Sequence, residues 1–270
     1  MSYIIACSAV SDRRAERPAV NSEPAGLKLD WSGLSAVPRY DTHFFFAART
    51  GELSIAQPAI KSFFLDGPAG RLEALLNAGS PAATHAGLIC HPHPLGGGTM
   101  HNKVVFHAMK ALNSFGFPVL RFNFRGTGLS AGEHDEGRGE IADVQAALLW
   151  LQREFALPVI FAGFSFGSAT GLRAACPDPD VAALISIGTP VEAEGRLYSY
   201  SFLHDCKKPK LFVSGDHDQY GPHQVLERVV AQAAGPKELV FVPGDHFFAG
   251  HLIEMRLTLE SWLHEFLHGA

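Results

Sequence analysis

An α/β architecture, a mostly parallel sheet with helices on both faces, is what this sequence predicts, and three observations carry it. From about residue 58 onward, apolar strand-like runs alternate with helical patterns. The chain has 270 residues, of which 47% are hydrophobic and 18% charged, enough to bury a large core in one generous domain. The residues able to do chemistry fall at the carboxyl ends of the predicted strands, where ligands bind in such sheets.

Taken in order, residues 1 to about 55 stand apart. Ser11–Pro18 and Asn21–Gly26 show neither a helical nor a strand period. We expect 1–55 to be a loosely ordered extension, with Phe44–Phe46 as its one sticky patch, and 56–270 to form the folded domain. Ile60–Leu65, the turn Asp66-Gly67-Pro68 and Arg71–Leu76 read as a β-hairpin. The next strands are Ala86–Cys90, Pro118–Phe124, Pro158–Gly163, Val181–Ile187, Lys210–Ser214 and Glu238–Val242. Helices are expected near 101–114, 138–155, 166–175, 222–234 and 247–268. In the second of these, Ile141, Val144, Ala147, Leu148 and Leu151 recur at helical spacing and read as core contacts to the sheet. The stretch from about Thr189 to Cys206 is short for a lid. Its Leu197, Tyr198, Tyr200 and Phe202 either wall a pocket or pack a surface loop.

Composition excludes several classes. Subtracting 27 acidic from 22 basic residues leaves a net charge of −5, so no basic field exists to hold a nucleic acid. The longest charge-free apolar stretch, Phe155–Leu172, is broken by Pro158 and by glycines and serines, and no membrane span is expected. Cys7, Cys90, Cys176 and Cys206 are far apart in sequence. We read them as small apolar fillers rather than a disulfide framework or a zinc site. Ile4–Cys7 lacks the basic flank and apolar length of a signal peptide, so a cytoplasmic protein is expected.

The sharpest motif is Gly163-Phe164-Ser165-Phe166-Gly167, lying between a strand and a helix. G-x-S-x-G makes a tight strand-to-helix turn whose glycines relieve crowding around a strained serine. The serine oxygen is thereby pushed above the sheet at a helix N-terminus, where negative charge is favoured. A nucleophilic serine needs a base, and the base an orienting acid. The strand Lys210–Ser214 ends in Gly215-Asp216-His217-Asp218, and Glu238–Val242 ends in Pro243-Gly244-Asp245-His246-Phe247. Serine, aspartate and histidine thus come in that order at strand ends, the last two after consecutive strands, with Asp216 and Asp218 both open as the acid.

Further motifs join these. They are His91-Pro92-His93-Pro94 with Gly96–Met100, and the run Arg121–Ser130 containing Arg125-Gly126-Thr127-Gly128. Together with the serine elbow, Gly215–Asp218 and Asp245–Phe248, they make residues 58–268 resemble the α/β-hydrolase superfamily, in particular its dienelactone-hydrolase-like bacterial serine esterases. The resemblance implies the α/β-hydrolase fold with an eight-strand-type sheet, a cofactor-free site, and hydrolysis of a small-molecule ester or a related acyl compound, with thioesters, amides and acyl transfer open. The family pattern places the acid three residues after the glycine, which selects Asp218, with Asp216 as a loop-capping carboxylate. It places the base at His246. His251 is read as an ordinary histidine inside the following helix, and His217 as pointing away from its aspartate neighbours. Of two oxyanion-hole amides, one is that of Phe166, after the serine. The other comes from the loop after Cys90, where Pro92 and Pro94 have no N–H. Similarity to His-Gly-x-Pro loops assigns it to His93, with Leu95 the alternative, although Pro92 stands where the family has glycine. Serine in place of aspartate argues against dehalogenase or epoxide-hydrolase chemistry, and in place of cysteine it makes the match to dienelactone hydrolase itself incomplete.

Rival readings are weaker. His91-x-His93 begins a binuclear metal pattern, but Leu95-Gly96 stands where an Asp-His pair is needed. Gly96–Gly98 lacks the Lys-Ser/Thr of a phosphate loop, and Gly126-x-Gly128 runs on into an acidic loop that repels a pyrophosphate. Arg125 and Ser130 are read as structural. A non-catalytic binding protein on the same fold is the second class, and the complete serine–histidine–aspartate set argues against it.

Overall fold

The computed structural model describes residues 60–193 and 195–269. The expected extension 1–55, with Phe44–Phe46 and Cys7, lies outside the described residues. The chain enters through an antiparallel hairpin, β1 (Ile60–Gly67) and β2 (Gly70–Asn77), paired in register from Ile60–Asn77 to Gly67–Gly70. Alternation decides its faces: Leu72, Ala74 and Leu76 are buried while their neighbours are half-buried or exposed.

Six longer-range strands follow: β3 (Ala86–Cys90), β4 (Val119–Phe122), β5 (Val159–Phe164), β6 (Val181–Ile187), β9 (Lys210–Gly215) and β10 (Lys237–Val242). With the hairpin they form one eight-stranded sheet in the order β1-β2-β4-β3-β5-β6-β9-β10. The strands from β4 to β10 run parallel, and β2 pairs antiparallel with β4. Every residue of β3, β4, β5 and β9 is buried, which is why β3 and β5 read as continuous apolar runs rather than alternations, while Arg121 of β4 and Lys210 of β9 are buried charges.

Helices cover both faces. α1 (Lys103–Ser114) and α5 (Leu252–His268) pack together on one core with Ile89, Ile160, Ile185 and Val213. α2 (Gly139–Phe155), α3 (Phe166–Ala175) and α4 (His223–Gln232) contribute to the other core, with Leu88, Phe122, Phe161 and Phe212. Val144, Ala147, Leu148 and Leu151 of α2 are buried there, as their spacing predicts. Asn102 caps α1, its side chain accepting from the amide of Val104 at 2.9 Å. α5 starts five residues later than its apolar pattern predicts, because residues 247–251 are taken up by turns in which Phe248 has φ 54°. His251 is therefore not inside α5 but at its N-cap.

The 189–206 segment is a small device with no long helix. A two-stranded ribbon, β7 (Glu192–Ala193) with β8 (Arg196–Leu197), leads into a 3₁₀ turn at Ser201–His204. Tyr200 is buried beneath it and donates its hydroxyl to the carbonyl of Pro190, while Arg173 of α3 reaches the carbonyl of Ser199. One expectation is overturned here. Cys176, at the end of α3, and Cys206 are joined in a disulfide, with Cα atoms 5.9 Å apart. Thirty positions separate them, so their spacing was silent: they meet only because the segment after β6 doubles back onto the end of α3. Of the described cysteines, Cys90 alone is a free, buried filler as expected. Among the described residues no helix is long and apolar enough to cross a membrane.

Candidate active site

The elbow between β5 and α3 is built by backbone crowding. Ser165 has φ 55° and ψ −123°, a region that side-chain-bearing residues rarely enter. It is held there by its amide, which donates to Ile187 at 2.9 Å, and by its carbonyl, which accepts from the amides of Ser168 and Ala169. A Cβ on Gly163 would lie 2.6 Å from the carbonyl oxygen of Gly167, and one on Gly167 would lie 2.4 Å from that of His91. Only glycine fits at either position.

Above the elbow, the Oγ of Ser165 lies 2.8 Å from Nε2 of His246. Nδ1 of His246 lies 2.9 and 2.8 Å from the two carboxylate oxygens of Asp218. A carboxylate only accepts, so Nδ1 carries the imidazole proton and Nε2 is left to accept from the serine hydroxyl. The acid is held in turn: Oδ1 of Asp218 accepts from the amides of Tyr220 and Gly221, and Oδ2 from the hydroxyl of Ser214. Burial by itself pushes the Asp218 carboxyl up. The hydrogen bond and charge of His246, with the Tyr220 amide and Ser214 hydroxyl, outweigh it and leave the carboxyl below its ordinary range. The rings of Phe164, Tyr220 and Phe247 pack around His246, which is 1% exposed.

The neighbouring acids and bases fall elsewhere. Asp216 accepts from the amide of Gly244 at 2.9 Å and so ties two loops together, as a capping carboxylate does. His217 was expected to point away from both aspartates, yet its Nδ1 lies 2.6 Å from Asp216: on an exposed turn the adjacent carboxylate captures the ring. His251 faces Glu254 at 3.3 Å.

The loop after β3 is fixed by His91, which is fully buried. Its Nε2 accepts from the amide of Phe124 at 3.0 Å, so its proton sits on Nδ1 and is donated to the carbonyl of Pro92 at 2.7 Å. Burial pulls its pKa down to about 4, and both nitrogens are engaged, which leaves neither for a metal. The amide of Leu95 donates to Nδ1 of His93 at 3.2 Å. The amide of Leu95, the alternative second oxyanion donor, is thus engaged by a side chain. The ring of His93 lies 4.8 Å from that of Phe166, whose own amide opens the first turn of α3. Arg125 and Ser130 are structural, as expected. Arg125 forms a two-pronged pair with buried Asp143, and Ser130 links the amide of Glu73 to the carbonyl of Asn123.

Ser165 and His246 open onto a cleft of about 870 Å³ that His93, His134, Arg196, Tyr198, Tyr220 and Phe247 help to line. Of the four apolar and aromatic residues singled out in 189–206, Tyr198 lines this cleft. Leu197 is exposed, Tyr200 is buried, and Phe202 stacks with Arg173 beside the disulfide. His134, Arg196, Tyr220 and Phe247 escaped sequence reading. Tyr220 and Phe247 carried a usable signal, lying two residues after Asp218 and one after His246.

Residues 88–197 match the family model of the alpha/beta hydrolase fold. A solved alpha-beta serine hydrolase homologue from Coxiella burnetii is 40% identical, covers 75% of this chain and 97% of its own, and superposes with a TM-score of 0.70. The chain belongs to the α/β-hydrolase family. Another of these hydrolases, from Xanthomonas campestris and described as lacking a lid, is 34% identical over 77% of this chain and 94% of its own, with a TM-score of 0.69. An uncharacterized protein of Rickettsia prowazekii (strain Madrid E) is 35% identical over 209 residues, 74% of this hydrolase and 87% of the relative.

Proposed function

We propose that this α/β hydrolase is a serine esterase that cleaves a small or medium carboxylic ester or thioester through an acyl-enzyme intermediate. The observation that carries the reading is the unbroken row from Ser165 through His246 to Asp218, opening onto the cleft. Oγ of Ser165 attacks the acyl carbonyl as its proton passes to Nε2 of His246, and Asp218 stabilises the imidazolium. The carbonyl oxygen becomes an oxyanion that the amides of Phe166 and His93 receive. The tetrahedral intermediate collapses with cleavage of the bond to the alcohol or thiol, which leaves with the proton held by His246. Water then attacks the acyl-serine, giving its proton to Nε2, and the second collapse releases the acid and restores the Ser165 hydroxyl. The modest 189–206 covering and the lidless relative support short acyl groups rather than long-chain lipids.

The test is labelling with a fluorophosphonate probe, alongside hydrolysis of short-chain p-nitrophenyl esters, in the wild type, Ser165→Ala and His246→Ala. Labelling and turnover in the wild type and loss of both in the variants are expected. A folded wild type that neither labels nor turns over would overturn the reading and leave ligand binding in its place.

A further inference from the structure

We infer that the cleft selects esters bearing a carboxylate on their acyl part, and that Arg196 is the residue that receives it. The inference rests on the esterase reading above and names its substrate class. Among the described residues lining the cleft, Arg196 is the one arginine or lysine and Glu136 the one carboxylate. Glu136 has a cation of its own, since Nη1 of Arg138 lies 3.7 Å from its carboxylate. Arg196 has none: among the described residues no carboxylate stands within ion-pair distance of its guanidinium.

The guanidinium is nevertheless held in place. Its Nη2 donates to the main-chain carbonyl of Glu136, and the group lies over the ring of Tyr198 at 5.2 Å from the centroid. Gly137, with φ 85°, makes the room for it. A Cβ there would stand 3.2 Å from Nη2 of Arg196 and 3.4 Å from the ring of Phe166. The cation and the ring of the residue that follows Ser165 thus both border Gly137, and Arg196 lines the cleft onto which the serine opens. A guanidinium presents five N–H donors, and the one carbonyl and one ring that fix Arg196 leave most of them for a ligand. A carboxylate matches that fork with two parallel charge-assisted bonds. Because the arginine is already positioned, little ordering cost opposes them.

The experiment compares monomethyl glutarate with methyl pentanoate, one charged and one neutral acyl chain of similar length, by the ratio of their kcat/KM values. It uses the wild type, Arg196→Gln and Arg196→Lys. The wild type is expected to favour the charged ester, and Arg196→Gln to lower the ratio about 10–100-fold, the range for a hydrogen bond to a charged group. Arg196→Lys, which keeps the charge but not the fork, should recover part of it. A ratio unchanged within about twofold in Arg196→Gln overturns the inference while leaving the esterase reading intact. Binding is read separately as the rise in thermal midpoint produced by glutarate. A rise in the wild type that is lost in Arg196→Gln supports the subsite even if no ester is turned over, in which case the esterase reading alone fails. No rise in the wild type counts against the subsite.

Discussion

Oγ of Ser165 and Nε2 of His246 stand 2.8 Å apart although 81 positions separate them in the chain. Neither residue finds the other by local preference. Ser165 is presented by the elbow after β5, and His246 by the turn after β10, three strands away across the sheet. Gly188, with φ 53°, lets the imidazole settle, since a Cβ there would lie 3.2 Å from Cε1 of His246. The sheet supplies the precision, and the loops supply the chemistry.

Asp218→Asn tests the orientation of that imidazole. The amide can no longer hold the proton on Nδ1 by charge, and its N–H₂ group can direct the ring into the wrong tautomer. The expected outcome is a fall in kcat of about 10⁴-fold with the fold intact. Asp216→Asn, which alters only the tie to Gly244 and the contact with His217, should keep most activity. Steady-state kinetics with a p-nitrophenyl ester and circular dichroism on both variants check this.

His93→Pro isolates a single amide. His93 has φ −53° and ψ 123°, a conformation that proline adopts without strain, so the substitution removes the N–H and leaves the path of the chain. We expect kcat to fall about 10²–10³-fold, the cost of one oxyanion donor elsewhere. His93→Ala loses the same ring but keeps the amide, and should fall much less. Equal losses in the two variants would place the second donor elsewhere.

Much of this was legible in the sequence. Ala86–Cys90, Val181–Ile187 and the helix 166–175 coincide with their predicted bounds, because buried parallel strands are apolar throughout and end in glycine or polar turns. Asp218 and His246 are joined as the resemblance implied. What the sequence concealed depends on distant contacts. Arg196 reaches the cleft only because a two-residue ribbon turns it toward Gly137, and Cys176 meets Cys206 only through the return of the 189–206 segment. Such short, irregular elements leave no periodicity to read. The bond from the amide of Leu95 to Nδ1 of His93 was likewise hidden, since it depends on the turn of the loop after β3.

His91 predicts an acid sensitivity. Burial pulls its pKa down to about 4, against about 6.5 in an unfolded chain. Between those values the unfolded state binds one more proton than the folded state, so stability falls as pH drops from about 6.5 to about 4. The loss is on the order of 3 kcal/mol. His91→Gln keeps a side chain able to accept from the amide of Phe124 but removes the titration. Urea unfolding at about pH 7 and about pH 4.5 should therefore show a steeper acid loss in the wild type than in the variant. Equal slopes would assign the acid sensitivity to other groups.

Gly167→Ala and Gly96→Ala separate crowding from mere glycine content. A methyl on Gly167 would lie 2.4 Å from the carbonyl oxygen of His91 and 2.6 Å from that of Cys90, main-chain atoms where β3 ends and its following loop begins. Neither can swing aside as a side chain would, so α3 must shift away from that loop. The shift costs about 1–3 kcal/mol in packing and carries the amide of Phe166 away from that of His93. Gly96 has room by comparison, with the Cβ of His93 at 3.9 Å as the nearest neighbour. The expected result is a lower thermal midpoint and a collapse of kcat in Gly167→Ala, with Gly96→Ala close to wild type in both. If Gly167→Ala keeps full turnover, the close approach of α3 to the loop after β3 does not set the geometry of the oxyanion donors.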